Sequence, residues 1–123
     1  MLEHDWFRRL VEKEFGELLD EFGDEMKNVA VVVEDWPDRG TLHRAGLRSA
    51  AQLLGFYHGV PRIARNQGYN LVAPDHISIY RRPIELVAHT PDQVRETVAR
   101  VLRHEIAHHF GIDDERLDEL DAY

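Results

Sequence analysis

The chain has no cysteine. That excludes a disulfide framework, a thiolate metal site and a cysteine nucleophile, so any metal must be held by histidine and carboxylate. It also lacks an apolar run near the ~20 residues that a membrane helix needs. The longest such run, VAVVV at residues 29–33, is strand-sized. The opening stretch MLEHDWFRRLVEKEF interleaves acids and bases and contains no apolar core of a secretory leader. These absences fit a cytoplasmic protein with no membrane partner. Internal repeats, low-complexity tracts and linkers are missing too, so residues 1–123 are read as a single domain. A chain of 123 residues can bury one core unaided, and its 43% hydrophobic content suits a folded protein rather than a disordered tail.

The formal charge of −8 is unevenly spread. Between Pro37 and Pro83 seven arginines (Arg39, Arg44, Arg48, Arg62, Arg65, Arg81 and Arg82) face only Asp38 and Asp75, a local net of +5. Such a basic stretch could meet an anionic partner, but its ordinary use is as solvated loop charge, and the acidic remainder repels nucleic acid.

Apolar residues at 6, 7, 10, 11, 15, 18, 19 and 22 predict an amphipathic helix over residues 6–22, with Gly23 as its stop. The β-branched run at 29–33 predicts a strand covered on both faces, ended by the turn residues Trp36-Pro37-Asp38-Arg39-Gly40. Glycines at 46, 55, 59 and 68 suggest loops around a short strand at residues 53–57. HISIY at 76–80 alternates cleanly, which predicts a half-buried strand, and Pro83 just beyond it points to a sheet edge. Thr90-Pro91-Asp92-Gln93 is a helix start: Thr90 caps, Pro91 suits the first position and Gln93 completes a capping box. That helix is expected to reach Phe110, with Gly111 closing it, and a short helix over 114–120 to follow. The order α–β–β–β–α–α predicts an α+β fold, a small sheet framed by helices.

Within the capped helix stands His104-Glu105-Ile106-Ala107-His108. Residues four apart lie on one helix face, so both imidazoles can reach one ion at about 2.0–2.1 Å. Glu105, one residue along, misses that ion yet can touch a water upon it; two ligands and a general base are the logic of HExxH. Three residues past His108, Gly111 permits the positive φ that turns the chain back and brings Asp113 and Asp114 towards the metal. Zinc in a catalytic site takes a third protein ligand. Asp114, six residues after His108, is favoured over Asp113, and either aspartate could instead cap the final helix. His109 points roughly 100° away round the helix and reads as a core or supporting residue.

HEIAHHFGIDD resembles the HExxHxxGxx(H/D) signature of metzincin-type zinc peptidases in its aspartate variant. Together with LLGFYHGVPR and ISIYRRPIE, it is similar to a family of small bacterial zincin-like proteins regarded as zinc metallopeptidases. The likeness runs from about residue 29 to 120. It implies a minimal zincin-like domain, a small mixed sheet packed on the N-terminal helix and the HExxH helix. It further implies Zn²⁺ held by His104, His108 and Asp114, with Glu105 as the catalytic base. The only methionines are Met1 and Met26, so the methionine turn of metzincins has no counterpart after Asp114.

A peptidase also needs a donor for the developing oxyanion. Tyr57, His58, Tyr80 and Arg81 are positions from which one could come, although packing or solvation is the ordinary use of each. The 76–80 strand could take an extended peptide along a free edge. The leading expectation is therefore zinc-dependent hydrolysis of a peptide or protein substrate. One competitor is a closed zinc site stapling a partner-binding domain; the other, which the acidic balance disfavours, is a metal-dependent ribonuclease.

Overall fold

The computed structural model describes residues 3–23, 28–59 and 75–109. Its first helix, α1 (His4–Phe22), buries Phe7, Val11, Phe15 and Leu18, the stripe its 3.6-residue period anticipates, and ends at Gly23 with φ 72°. The long C-terminal helix α4 (Pro91–His109) starts with the expected capping box. Gln93 N–H donates to Thr90 Oγ1 at 3.1 Å, and Gln93 Oε1 accepts from the N–H groups of Thr90 (3.3 Å) and His89 (2.8 Å). Val94, Val98, Leu102 and Ile106 of α4 are fully buried against α1 and the sheet, forming one core with Phe7, Val11, Ile77 and Ile79. The Arg103–Glu21 ion pair, 2.8 Å, ties the two helices at their rim.

The sheet joins β1 (Val29–Glu34), β2 (Gly55–His58) and β3 (Asp75–Tyr80) in the order β1-β3-β2, with β1 parallel and β2 antiparallel to β3. The result is an α+β fold with a small mixed sheet. Two expectations about these strands are reversed. The all-apolar β1 lies on a flank of the described sheet. Its odd residues pack inward while Val32 stays 40% exposed, so it is not covered on both faces. The alternating β3 is the central strand, not an edge. Even its polar face is enclosed: Ser78 is fully buried and Tyr80 nearly so, beside buried Thr41 of α2 (Arg39–Ala45).

Two short helices are added to the expected order. Helix α2 starts at Asp38, whose carboxylate accepts from Thr41 N–H at 2.7 Å, and closes at Gly46 with φ 73°. A 3-10 turn (Ala50–Gln52) then leads into β2. Helix α3 (Arg81–Val87) follows β3 directly, so Pro83 does not mark an edge strand; it sits in the first turn of a helix, where no backbone donor is required. The expected final helix at 114–120 lies outside the described residues. No helix among the described residues is long and apolar enough to cross a membrane.

Candidate active site

Helix α4 and strand β2 run beside one another, and their repeats match. Val101 and Glu105 are one helical turn apart, about 6 Å of rise, while Gly55 and Tyr57 are two strand residues apart, about 6.6 Å. Val101 faces Gly55 so closely that a Cβ on Gly55 would stand 2.6 Å from Val101 Cγ1 and 3.1 Å from the Ser78 carbonyl oxygen. Only glycine lets the helix come this near. The next turn then sets Glu105 against Tyr57, whose backbone N–H donates to Glu105 Oε1 at 3.1 Å.

The orientation of that N–H follows from the pairing. Tyr80 N–H donates to the Leu54 carbonyl at 3.0 Å, and antiparallel partners alternate between bonded and non-bonded pairs. Phe56 and His58 therefore direct their backbone groups to β3, whereas Gly55 and Tyr57 direct theirs outward. Glu105 thus docks on the outer edge of β2.

Across α4 from Ile106, His104 and His108 stand together, ring centroids 4.2 Å apart and tilted by 37°. Two imidazoles on successive turns are what a divalent ion can bridge, so the described half of the donor set fits zinc. Among the described residues no group of three or more His, Asp or Glu side chains converges as a metal cluster. Gly111, Asp113 and Asp114, from which the third ligand was expected, lie outside the described residues, as does the His109 side chain. Burial pushes the Glu105 carboxyl above the ordinary carboxylate range, with the Tyr57 N–H and His108 pulling the other way.

Two clefts open beside Glu105. One, of about 480 Å³, runs along Phe56 and Tyr57 and is walled by Arg44, Leu47, Leu53, Glu105 and His108. The other, of about 360 Å³, lies between Gln52, Leu54, Gly55, Arg100, Val101, His104 and Glu105. A larger surface depression of about 630 Å³, between Val87 and the outer side of α4, contains neither histidine.

The sequence then places this geometry. A family model for zincin-like metallopeptidases matches residues 26–123. The chain belongs to the zincin-like metallopeptidase family. The matched span takes in the three described strands and the whole of α4, so the helix carrying the histidine pair lies within the family match. No curated protein matches the chain.

Of the further candidates in this zincin-like chain, Tyr57 lies in the expected short strand, observed over Gly55–His58. Its backbone reaches Glu105, and its phenol donates to the buried Asp75 Oδ2 at 3.0 Å. His58, also on β2, is on the opposite sheet face from Tyr57, stacked on His76 with centroids 4.4 Å apart. Tyr80 is buried at the start of α3. Arg81 is a structural pin: its Nε and Nη2 both reach Asp35 Oδ1 at 2.9 Å, with Glu85 3.9 Å away. Sequence reasoning missed Arg44 as a cleft residue, Gly55 as the close-contact residue, and β2 as the strand beside α4. The glycine itself was the available signal for the second.

Proposed function

We propose that this protein is a zinc-dependent peptide hydrolase, with His104, His108 and Asp114 holding the metal and Glu105 acting as general base. The observation that carries this reading is the placement of Glu105: partly buried, one residue from a side-by-side histidine pair, and held by a strand-edge N–H at the mouth of a cleft. What zinc supplies when bound is Lewis acidity, which makes a water acidic enough to attack near neutral pH and polarises the scissile carbonyl.

The chain's own residues do the rest. With Oε1 engaged by Tyr57, Glu105 presents Oε2 to the attacking water, accepts its proton, and delivers it to the amine as the carbon–nitrogen bond breaks. A carboxyl whose acidity has been weakened by burial suits both halves of that transfer. The extended substrate is expected on β2 rather than on the 76–80 strand, because β3 is internal; Gly55 directs its backbone groups outward, while the Tyr57 N–H is taken by Glu105.

Glu105→Gln is the test. Zinc content by metal analysis should be unchanged, while cleavage of a quenched fluorescent peptide falls about 10²–10⁴-fold. Unaltered turnover in a preparation freed of contaminating proteases would remove Glu105 from the chemistry.

A further inference from the structure

The wider cleft contains a cation that the hydrolytic reading does not use. Arg44 lies in the last turn of α2 and lines the cleft beside His108 and Glu105. Its Nη2 donates to Thr41 Oγ1 at 3.3 Å and lies 3.4 Å from His58 Nδ1, and its guanidinium carbon sits 5.9 Å from the centre of the Phe56 ring. All three partners are neutral. Burial, His76 and Arg44 itself lower the His58 pKa, which favours an uncharged ring beside the guanidinium. The carboxylate capping the same helix, Asp38, is engaged by Thr41 N–H.

Among the described residues Arg8, Arg81, Arg82, Arg95 and Arg103 each pair with a carboxylate, while Arg9, Arg39, Arg48 and Arg100 do not. Arg44 forms no such ion pair among the described residues, although 23 acidic residues are available to the chain. Its position is nevertheless fixed by three contacts, so little side-chain freedom would be lost on binding an anion. A planar guanidinium held in this way matches a carboxylate in a two-pronged bond.

We infer that Arg44 is a specificity residue, selecting peptides that carry a carboxylate on the His108 side of the scissile bond. This rests on the peptide-hydrolase reading for its substrate class. The carboxylate could belong to an aspartate or glutamate side chain or to the peptide's own C-terminus. Both present the same group to the same cation.

Binding can be measured without turnover, using the zinc-loaded full-length Glu105→Gln protein and fluorescein-labelled peptides followed by anisotropy. One series carries Asp, Asn or Lys at a single position walked along an amidated peptide; a second compares free and amidated C-termini on the Asn peptide. Expected is a preference of about tenfold for carboxylate at one position or at the free terminus, weakening with salt. Whichever series shows it identifies the source of the carboxylate. Arg44→Ala should abolish the preference and Arg44→Glu should turn it towards Lys, while Arg44→Lys retains part of it. Arg44 is exposed, so these variants should keep the wild-type melting temperature. Equal binding across both series, no binding by any peptide, or a preference that survives Arg44→Glu overturns the inference. Parallel hydrolysis assays on the zinc-loaded wild type separate the two readings. An Arg44-dependent preference without cleavage upholds the inference and sinks the hydrolase; cleavage indifferent to carboxylate does the reverse.

Discussion

Two histidine pairs lie in this molecule at nearly the same ring separation, and they are not equivalent. His104 and His108 sit 4.2 Å apart on one helix, tilted by 37°; His58 and His76 sit 4.4 Å apart on neighbouring strands and are stacked at 16°. The helix pair has the Glu105 carboxylate one residue away and opens on clefts of about 480 and 360 Å³. The strand pair has the Arg44 guanidinium against it. A cation beside two imidazoles opposes a second cation, whereas a carboxylate beside them favours one. Ring proximity therefore says little by itself; the sign of the neighbouring charge and access to a cleft distinguish the pair proposed to hold metal from the packed one.

The sharpest way to break this comparison is to remove the pairs separately. His104→Ala or His108→Ala should weaken zinc binding by about 100-fold or more, since a structural set of four ligands is worth about 10–16 kcal/mol and each ligand carries a share. His58→Ala and His76→Ala should leave zinc affinity unchanged. Competition against a chromophoric chelator measures all four. Equal losses from both pairs would mean the metal is not held where the helix spacing puts it.

A smaller effect is expected from Gly55→Ala, which acts on the contact beneath the helix pair alone. The added methyl cannot fit between Val101 and the Ser78 carbonyl, so β2 and α4 must part. Overpacking of this kind costs about 1–3 kcal/mol, read as a lower denaturation midpoint. If the separation also breaks the Tyr57–Glu105 bond, peptide cleavage should fall further than zinc affinity does. The double variant Gly55→Ala/Val101→Ala should recover most of the stability, because the tightest obstruction is Val101 Cγ1. Failure of that rescue would mean the strand backbone, not the helix side chain, sets the spacing.

The difference between the pairs also marks what the sequence could disclose. His104, Glu105 and His108 are related by helix period, and the capping box and apolar stripe that establish the helix are local, so this half of the site was legible. His58 and His76 meet only through strand register across 18 residues, and Tyr57 meets Glu105 across 48; no short-range pattern encodes either contact. The strands were misplaced for a related reason. VAVVV reads as buried on both faces and HISIY as half-buried, but which strand is central depends on pairing partners, and the polar face of β3 is enclosed by α2. Helices α2 and α3 are seven residues each, two turns, too short for periodicity to register; Pro83 in α3 pointed to a sheet edge because its place in the first turn of a helix was not visible. The α+β class survived these errors because it needs only the number and kind of elements.

The smallest predicted effect concerns the strand pair and pH. The His58 pKa is lowered by burial, then by His76 and Arg44, while Glu34 and Asp38 draw it the other way. Above its ordinary value of 6.5, both folded and unfolded chains hold His58 neutral and it contributes no pH dependence. As pH falls below that value the unfolded chain takes up the proton first, so stability drops until the folded state protonates as well. Glu105 has the opposite sign: its raised pKa gives stability at low pH that is lost as pH rises through the folded value. The two contributions overlap in mildly acid solution, so the total curve is uninformative and the difference between variants is not. Subtracting the stability of His58→Asn from that of wild type, by urea denaturation in chelator from pH 7 downward, should leave a difference that shrinks on acidification below about 6.5. A flat difference would mean that burial, His76 and Arg44 together do not lower the His58 pKa, and the charge contrast between the two histidine pairs would lose its support.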